Sequence, residues 1–421
     1  MQDRADIAVV GSGAAGLMAA IQAGRRARSE GASLRIVALD GAKKLGAKIL
    51  ISGGGRCNVT HHAVLASDFA GSTAPAIRKV LARFDVSETV RFFEALGVRL
   101  KREETGKLFP TTDRAQSVLD ALLRAVDLAG VHLAHPWRVD RIERRPDGFL
   151  LVRDDASAST IHARRVILAT GGMSVPKTGS DGHGYDIARS LDHSVTPKLV
   201  PGLVPLLLPE GYWPRSLSGV AFPVRVELRS GSGRALVSFT GPMLCAHFGV
   251  TGPAIMDISR HYLLARCDDA NARLSVSLLP EWSAPGLDGA FQRLGPETPL
   301  AFLRQLLPER VVRALGESLH VSLAESGGQL TRASRSKLVR SLLELPLPVV
   351  GDRGFKVAEV TAGGVPLSEL HLNTLESRRT PALYICGEIC DVDGRIGGFN
   401  FQWAWASGYV AGTSAAAALT L

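Results

Sequence analysis

A mixed α/β fold, with one discontinuous domain interrupted by an insertion, is what this sequence predicts, and three observations carry it. A strand, a glycine turn, a helix and a second strand fill residues 6 to 40. The pattern then changes character from about residue 196 to 345. A strand-like LYICGEIC and a long uncharged segment close the chain. At 421 residues, two domains is the expected number. The expected division is 1–195 with 346–421 as one domain and 196–345 as the other.

The first unit is the most informative. DIAVV is an apolar run of strand type, GSGAAG follows at once, LMAAIQAGRRA reads as a helix and SLRIVALD as a second strand ending at Asp40. The G-x-G-x-x-G triplet falls at Gly11, Gly13 and Gly16, and in this context it is a dinucleotide-binding signal. Gly11 permits the tight turn, Gly13 lets backbone approach a pyrophosphate, and Gly16 lets helix and strand pack closely. Ala14 and Ala15 open the helix, whose free N–H groups and positive dipole end face the phosphates. Asp40 is placed to accept from ribose hydroxyls.

Residues 76 to 97 read as one amphipathic helix, and a second runs from about 115 to 129. Three strand-like pieces follow, VHLAHPWRVDRIE, GFLLVRD and STIHARRVILAT, the first two joined by the turn Pro146-Asp147-Gly148. The insertion opens on TPKLVPGLVPLLLP, whose prolines argue against a helix. FPVRVELRS and RALVSFT alternate as antiparallel strands do, and arginine-rich helices fill roughly 299–345.

Composition narrows the class. A hydrophobic content of 46% with 21% charged residues is that of a soluble globular protein. The five cysteines, at 57, 245, 267, 386 and 390, form no C-x-x-C pair and no zinc spacing, which points to a reduced, cytoplasmic protein. The N-terminus has acids before its apolar run, so no signal peptide is expected. Residues 396–421 carry no charge, but Asn400, Gln402, Ser407, Thr413 and four glycines make the segment a close-packed buried helix rather than a membrane span. No metal is expected: the pair His61-His62 lacks a further ligand at metal spacing. The net charge of +9 fits an anionic cofactor, nucleic acid, or a merely solvated surface.

Five signatures in order, GSGAAG, ISGGGRCN, ATGG with GSDGHGYDIA, FTGPMLCAHFGVTGPAI, and EVTAGGV through LYICGEICDVDGRIGGFNFQWAWASGYVAG, resemble the HI0933-like (YhiN) flavoprotein family across nearly the whole chain. The resemblance implies a glutathione-reductase-type FAD-binding Rossmann domain interrupted by a β-barrel-like insertion with helices. It implies FAD as cofactor, an oxidoreductase linked to NAD(P)H or to oxygen, with NAD(P)H docking transiently or another reductant serving, and reduction of a carbon–carbon double bond. It also implies that Val139 meets adenine through its backbone and that Thr170 and Gly171 end the flavin-side strand. Gly387 and Glu388 stand where an acid approaches the ribitol. Gly397, Gly398, Phe399 and Asn400 start the last helix, with its N–H groups toward the flavin. ISGGGRCN resembles the loop against the isoalloxazine, bringing Gly54, Arg56, Cys57 and Asn58 to the cofactor; it lacks the G-K-[ST] ending of a Walker loop. Cys57 has no thiol near it in sequence, so packing is its expected role rather than redox.

Reduction of a double bond needs a hydride and a proton, and Arg56, His247 and Asn400 are the candidates for catalysis. Three functions stay open: a reductase of a small unsaturated molecule, a flavoenzyme acting on a uridine of ribosomal RNA, and a non-catalytic FAD-binding redox sensor. A second G-x-G-x-x-G for NAD(P)H is absent.

Overall fold

In the computed structural model, residues 3–154 and 159–420 are described. They divide into two units, one of Met1–Leu199 with Val360–Leu421 and one of Val200–Glu359.

The first unit is built on a mostly parallel sheet. Its central strand, Asp3–Val10, pairs in parallel with Ile36–Leu39 on one side and Thr160–Leu168 on the other. His132–Ala134 extends the sheet beyond Ile36–Leu39, and Leu383–Ile385 extends it beyond Thr160–Leu168, both in parallel. A central parallel strand is covered on both faces, and Ile7, Ala8 and Val9 are fully buried. In register, Val10 lies opposite Leu39 and Leu168, Leu39 opposite Ala134, and Leu168 opposite Ile385. Five strands therefore end level, and the loops that follow them share one edge. The hairpin Val139–Arg145 with Gly148–Arg153 joins Thr160–Leu168 in antiparallel fashion.

Two expected elements are broken by local chemistry. The helix expected over 76–97 is two, Ala74–Leu81 and Val86–Ala95, because the Asp85 carboxylate caps the second by accepting from the Glu88 N–H at 2.9 Å. The strand VHLAHPWRVDRIE is also two, parted at the cis His135-Pro136 bond.

The uncharged C-terminal segment is the helix Phe399–Thr420, lodged against the first helix, Ala14–Ser29. A Cβ on Gly408 would lie 2.4 Å from Ala15 O, and one on Gly412 would lie 2.1 Å from Ala19 O, so only glycine permits the approach. Trp403 and Trp405 are buried beside it and donate to Gly387 O and Val59 O at 3.0 and 2.9 Å. Among the described residues, no helix is long and apolar enough to cross a membrane.

The second unit holds a seven-stranded antiparallel sheet in the order Leu345–Leu347, Arg273–Ser277, Ala221–Arg229, Ala235–Ala246, Gly249–Thr251, Leu206–Leu207, Gly351–Asp352. Phe222, Val224, Val226 and Leu228 alternate inward with the period of two that a half-buried strand shows. Helices Glu309–Leu319 and Arg332–Leu343 bury Val311, Val312, Leu315, Leu338 and Leu342. The two edge strands of the sheet, Leu345–Leu347 and Gly351–Asp352, follow one another directly in the chain.

Candidate functional site

The three glycines of the first turn have three different reasons. Gly11 has φ +95° and sits against the end of Thr160–Leu168, where a Cβ would lie 2.5 Å from Ala169 O. At Gly16 a Cβ would lie 1.8 Å from Gly11 O. Gly13 is extended, with φ −77° and ψ −164°, and a Cβ there would meet nothing within 4 Å. The backbone at Gly13 thus borders open space at the start of Ala14–Ser29. That helix has neither a side-chain cap nor an acid in its first turn, which leaves its first N–H groups to an anion. The buried Ser12 Oγ in this turn, Thr170 Oγ1 of the residue against Gly11, and Asn58 Oδ1 beside Gly398 find no hydrogen-bond partner among the described residues. An open cradle, an uncapped helix start and unsatisfied oxygens fit a dinucleotide such as FAD.

Asp40 ends the second strand and ties it to the glycine turn. Its Oδ2 accepts from the Ser12 N–H at 2.7 Å and its Oδ1 from the Ala42 N–H at 2.8 Å. A carboxylate oxygen accepts more than one hydrogen, so ribose hydroxyls can still be met.

Glu388 follows the last parallel strand, after Gly387, whose φ is +82° and whose Cβ would lie 2.7 Å from the Ala15 Cβ. Its carboxylate pairs with Lys48, and Ser174 and Thr361 complete the group. Lys48, Ser174 and Thr361 were missed in the sequence, where nothing separates Lys48 from Lys43 and Lys44.

The SGGGRCN stretch needs its glycines for backbone reasons. Gly53, Gly54 and Gly55 all lie in the left-handed region, with φ of 55°, 69° and 86°. A Cβ on Gly53 would also press Phe109 at 2.9 Å. Arg56 then lies over the Phe109 ring, 4.0 Å from its centre, and donates to Glu103 at 2.6 Å. Cys57 is buried, and burial pushes its thiol up to about 12 against a Ser52 hydrogen bond that pulls the other way. A thiol so placed is neither ionised nor reachable at neutral pH. Among the described residues all five cysteines are free of disulfides.

At the start of the last helix, Gly397 and Gly398 have φ of +131° and +96°, and a Cβ on Gly398 would lie 2.9 Å from Asn58 Oδ1. This brings the helix start and the SGGGRCN loop together. Phe399 stacks on His61, ring centres 4.9 Å apart. Asn400 accepts from the Gly394 N–H at 2.8 Å and donates to Gly394 O at 2.9 Å, which closes the turn before the helix. Gly171, with φ +76°, follows Thr170 at the end of Thr160–Leu168. Val139 is buried and pairs with Arg153 across the hairpin. His183 Nε2 lies 2.6 Å from Asp140 O. His247 belongs to the second unit, where it is exposed and edge-on to Phe248. Among the described residues no group of three or more His, Cys, Asp or Glu could hold a metal ion.

The HI0933-like protein Rossmann domain matches residues 5–414. The chain belongs to this family. This HI0933-like protein is 35% identical over 414 residues to a 3-dehydro-bile acid delta(4,6)-reductase of Clostridium scindens, covering 97% of this chain and 98% of that one. It is 32% identical over 413 residues to a ribosomal RNA dihydrouridine synthase of Escherichia coli, covering 97% of each. Among solved structures, a 3-ketosteroid-delta4-(5alpha)-dehydrogenase from Rhodococcus jostii RHA1 matches with TM-score 0.50 at 16% identity, over 98% of this chain and 97% of that one. A quinol-fumarate reductase matches with TM-score 0.52 at 16% identity, over 99% of this chain and 71% of that one. These two likenesses bear on the fold. The HI0933-like protein is an enzyme, a flavoprotein oxidoreductase, and its family and cleft support FAD as cofactor.

Proposed function

We propose that the enzyme reduces a carbon–carbon double bond conjugated to a carbonyl, using NAD(P)H as the ultimate reductant. One observation carries the reading. The two relatives above have names that denote acting on a bile acid and on a uridine, and reduction of a double bond is the chemistry the names share. FAD, when bound, supplies the hydride donor for such a reaction. On the protein side, the glycine turn and the start of Ala14–Ser29 would hold the pyrophosphate, and Asp40 the ribose. The C-terminal helix has no acid in its first turn, so its positive end is free to favour negative charge beside it. The nicotinamide nucleotide would dock transiently, since the sequence has one G-x-G-x-x-G.

The test is anaerobic. The FAD-loaded enzyme is reduced with NADH or NADPH and then mixed with conjugated enones and with ribosomal RNA fragments. The expected outcome is reoxidation of the flavin with a product that has gained two hydrogens. If oxygen alone reoxidises the flavin and every candidate is returned unchanged, the reading fails.

Action on RNA is a second reading, favoured by the +9 charge and its distribution. Arg313 pairs with Glu309, and Arg335 with Asp288. Arg304, Arg310 and Arg340 are exposed and make no ion pair among the described residues. Replacing these three by glutamine should weaken binding to ribosomal RNA fragments and flatten its salt dependence between about 50 and 200 mM, leaving the flavin spectrum unchanged. Unchanged RNA binding would leave the charge as a solubility feature.

A further inference from the structure

Among the described residues, eight other than glycine have a positive φ, and seven of them have a local reason for it. Asp113, Asp192 and His320 are of the types that enter the left-handed region most readily. Cys57, Leu203 and Leu375 are buried, and Ala382 packs against the core, so side-chain contacts hold their backbone. Val175 is the eighth, with φ 50° and ψ 61°. A β-branched residue is a true outlier there, and the proline that follows, Pro176, favours extended backbone instead. Yet Val175 is only half-buried and packs against neither hydrophobic core. Its neighbours hold it, not its own side chain. Ser174 before it is fully buried, its N–H donating to Thr361 Oγ1 at 3.2 Å and its Oγ to Glu388 Oε1 at 2.8 Å. After it, the N–H and the Oγ1 of Thr178 both donate to Val175 O at 2.8 Å.

Backbone strain that side-chain packing does not offset is found where it serves a site. Val175 lies in the loop after Thr160–Leu168, on the edge where the parallel strands end level and where open α/β sheets bind their ligands. Ser174 ties that loop to Glu388, which follows Gly387 beside Ala15 of the glycine-turn helix. We infer that Val175 is a specificity-determining residue of this site, an apolar contact for the hydrocarbon skeleton of a conjugated enone, set in place by the strained turn. An isopropyl group offers neither charge nor hydrogen bond, so it recognises only the apolar part of a substrate. Branching at Cβ keeps it stiff, which suits a fixed contact. The inference rests on the double-bond reading of the function and deepens it, favouring a substrate with an apolar skeleton.

The experiment compares wild type, V175A, V175G and V175I. Each FAD-loaded protein is reduced anaerobically with stoichiometric dithionite and mixed with cyclohex-2-enone or with testosterone, a steroid enone. The rate constant of flavin reoxidation is read for each enone, beside the FAD Kd and the unfolding temperature of the apoprotein. V175A and V175G should lower the ratio of the steroid to the cyclohexenone rate constant on the order of 10-fold, since both lose the apolar contact. V175I should keep most of that ratio. V175G alone should also raise the apoprotein Tm by about 2–4 °C, because glycine adopts the left-handed conformation without strain. The FAD Kd should stay that of wild type. A ratio unchanged in both V175A and V175G would make the strain a property of the fold alone and overturn the proposal. So would a V175G apoprotein that unfolds below wild type or loses FAD, since the turn would then serve folding or the cofactor. Wild-type enzyme reoxidised by neither enone would remove the double-bond reading and this contact with it, a result the first measurement separates from the others.

Discussion

Gly13→Val separates what the glycine turn does for the fold from what it does for the cofactor. Gly13 is extended at φ −77° and a Cβ there meets nothing within 4 Å, so the apoprotein has both the backbone conformation and the room for valine. Two small effects oppose each other. Valine is a poorer helix cap than glycine by up to about 1 kcal/mol, while a less flexible unfolded chain returns about 0.4–1 kcal/mol. The apoprotein Tm should move by no more than about 4 °C. The cofactor pays the difference, because the side chain fills the space in which a pyrophosphate would reach the helix start. Losing two charge-assisted hydrogen bonds at about 1.5–3 kcal/mol each weakens FAD binding at least about 100-fold. Calorimetry or dye-monitored unfolding reads the first number, and fluorescence titration of apoprotein reads the second. Gly16→Ala should do the reverse: its Cβ would sit 1.8 Å from Gly11 O, so the turn must shift and the apoprotein itself loses stability, by about 1–3 kcal/mol. A Gly13→Val apoprotein that unfolds far below wild type, or one that keeps FAD with unchanged affinity, would refute the reasoning.

Asp40→Ala should weaken FAD binding by about 1.5–3 kcal/mol, because it releases the Ser12 and Ala42 N–H groups as well as removing an acceptor; titration of apoprotein with FAD checks it. Cys57→Ser should leave stopped-flow reduction of the flavin by NAD(P)H within a few-fold of wild type, as its buried thiol is not ionised; reduction that is normal but reoxidation by substrate that is lost would instead reveal a thiol relay. Stability should also depend on one histidine. His193 lies between Glu369, at 2.7 Å, and Ser377, at 2.8 Å, and burial lowers its pKa from 6.5 despite the carboxylate. The unfolded chain then takes up the proton first, so stability is level above pH 6.5 and falls as pH drops below it. Urea midpoints measured from pH 8 to 5 should show this slope in wild type and a flatter one in H193Q.

The parts of the fold that could be read in the sequence are those set by neighbours along the chain. DIAVV, GSGAAG and the strand ending at Asp40 declare themselves by period and by glycine, and the structure places them at the centre of the sheet. Asp85 went unread as a helix break because its neighbours keep an amphipathic pattern across it, and only its bond to the Glu88 N–H marks the new start. Lys48 was hidden for a different reason. Its partner Glu388 is 340 residues away, and a lysine among lysines has no local signature of being paired. Arg56 shows the opposite case: its motif was legible, while its stacking on Phe109 and bond to Glu103 come from a hairpin that only the tertiary fold brings under the loop.

The glycine seam between Ala14–Ser29 and Phe399–Thr420 has a consequence for biosynthesis. A ribosome makes the N-terminal βαβ unit first, but the helix that offers the pyrophosphate its N–H groups is braced along Ala15 and Ala19 by Gly408 and Gly412. The neighbouring strand Leu383–Ile385 also arrives only after the whole second unit has been made. Nascent chains stalled before residue 383 should therefore fail to retain flavin, however well their first strands have formed. Loading of the cofactor then reports that synthesis has passed the last helix, and a cell that degrades flavin-free chains would remove truncated products by the same criterion.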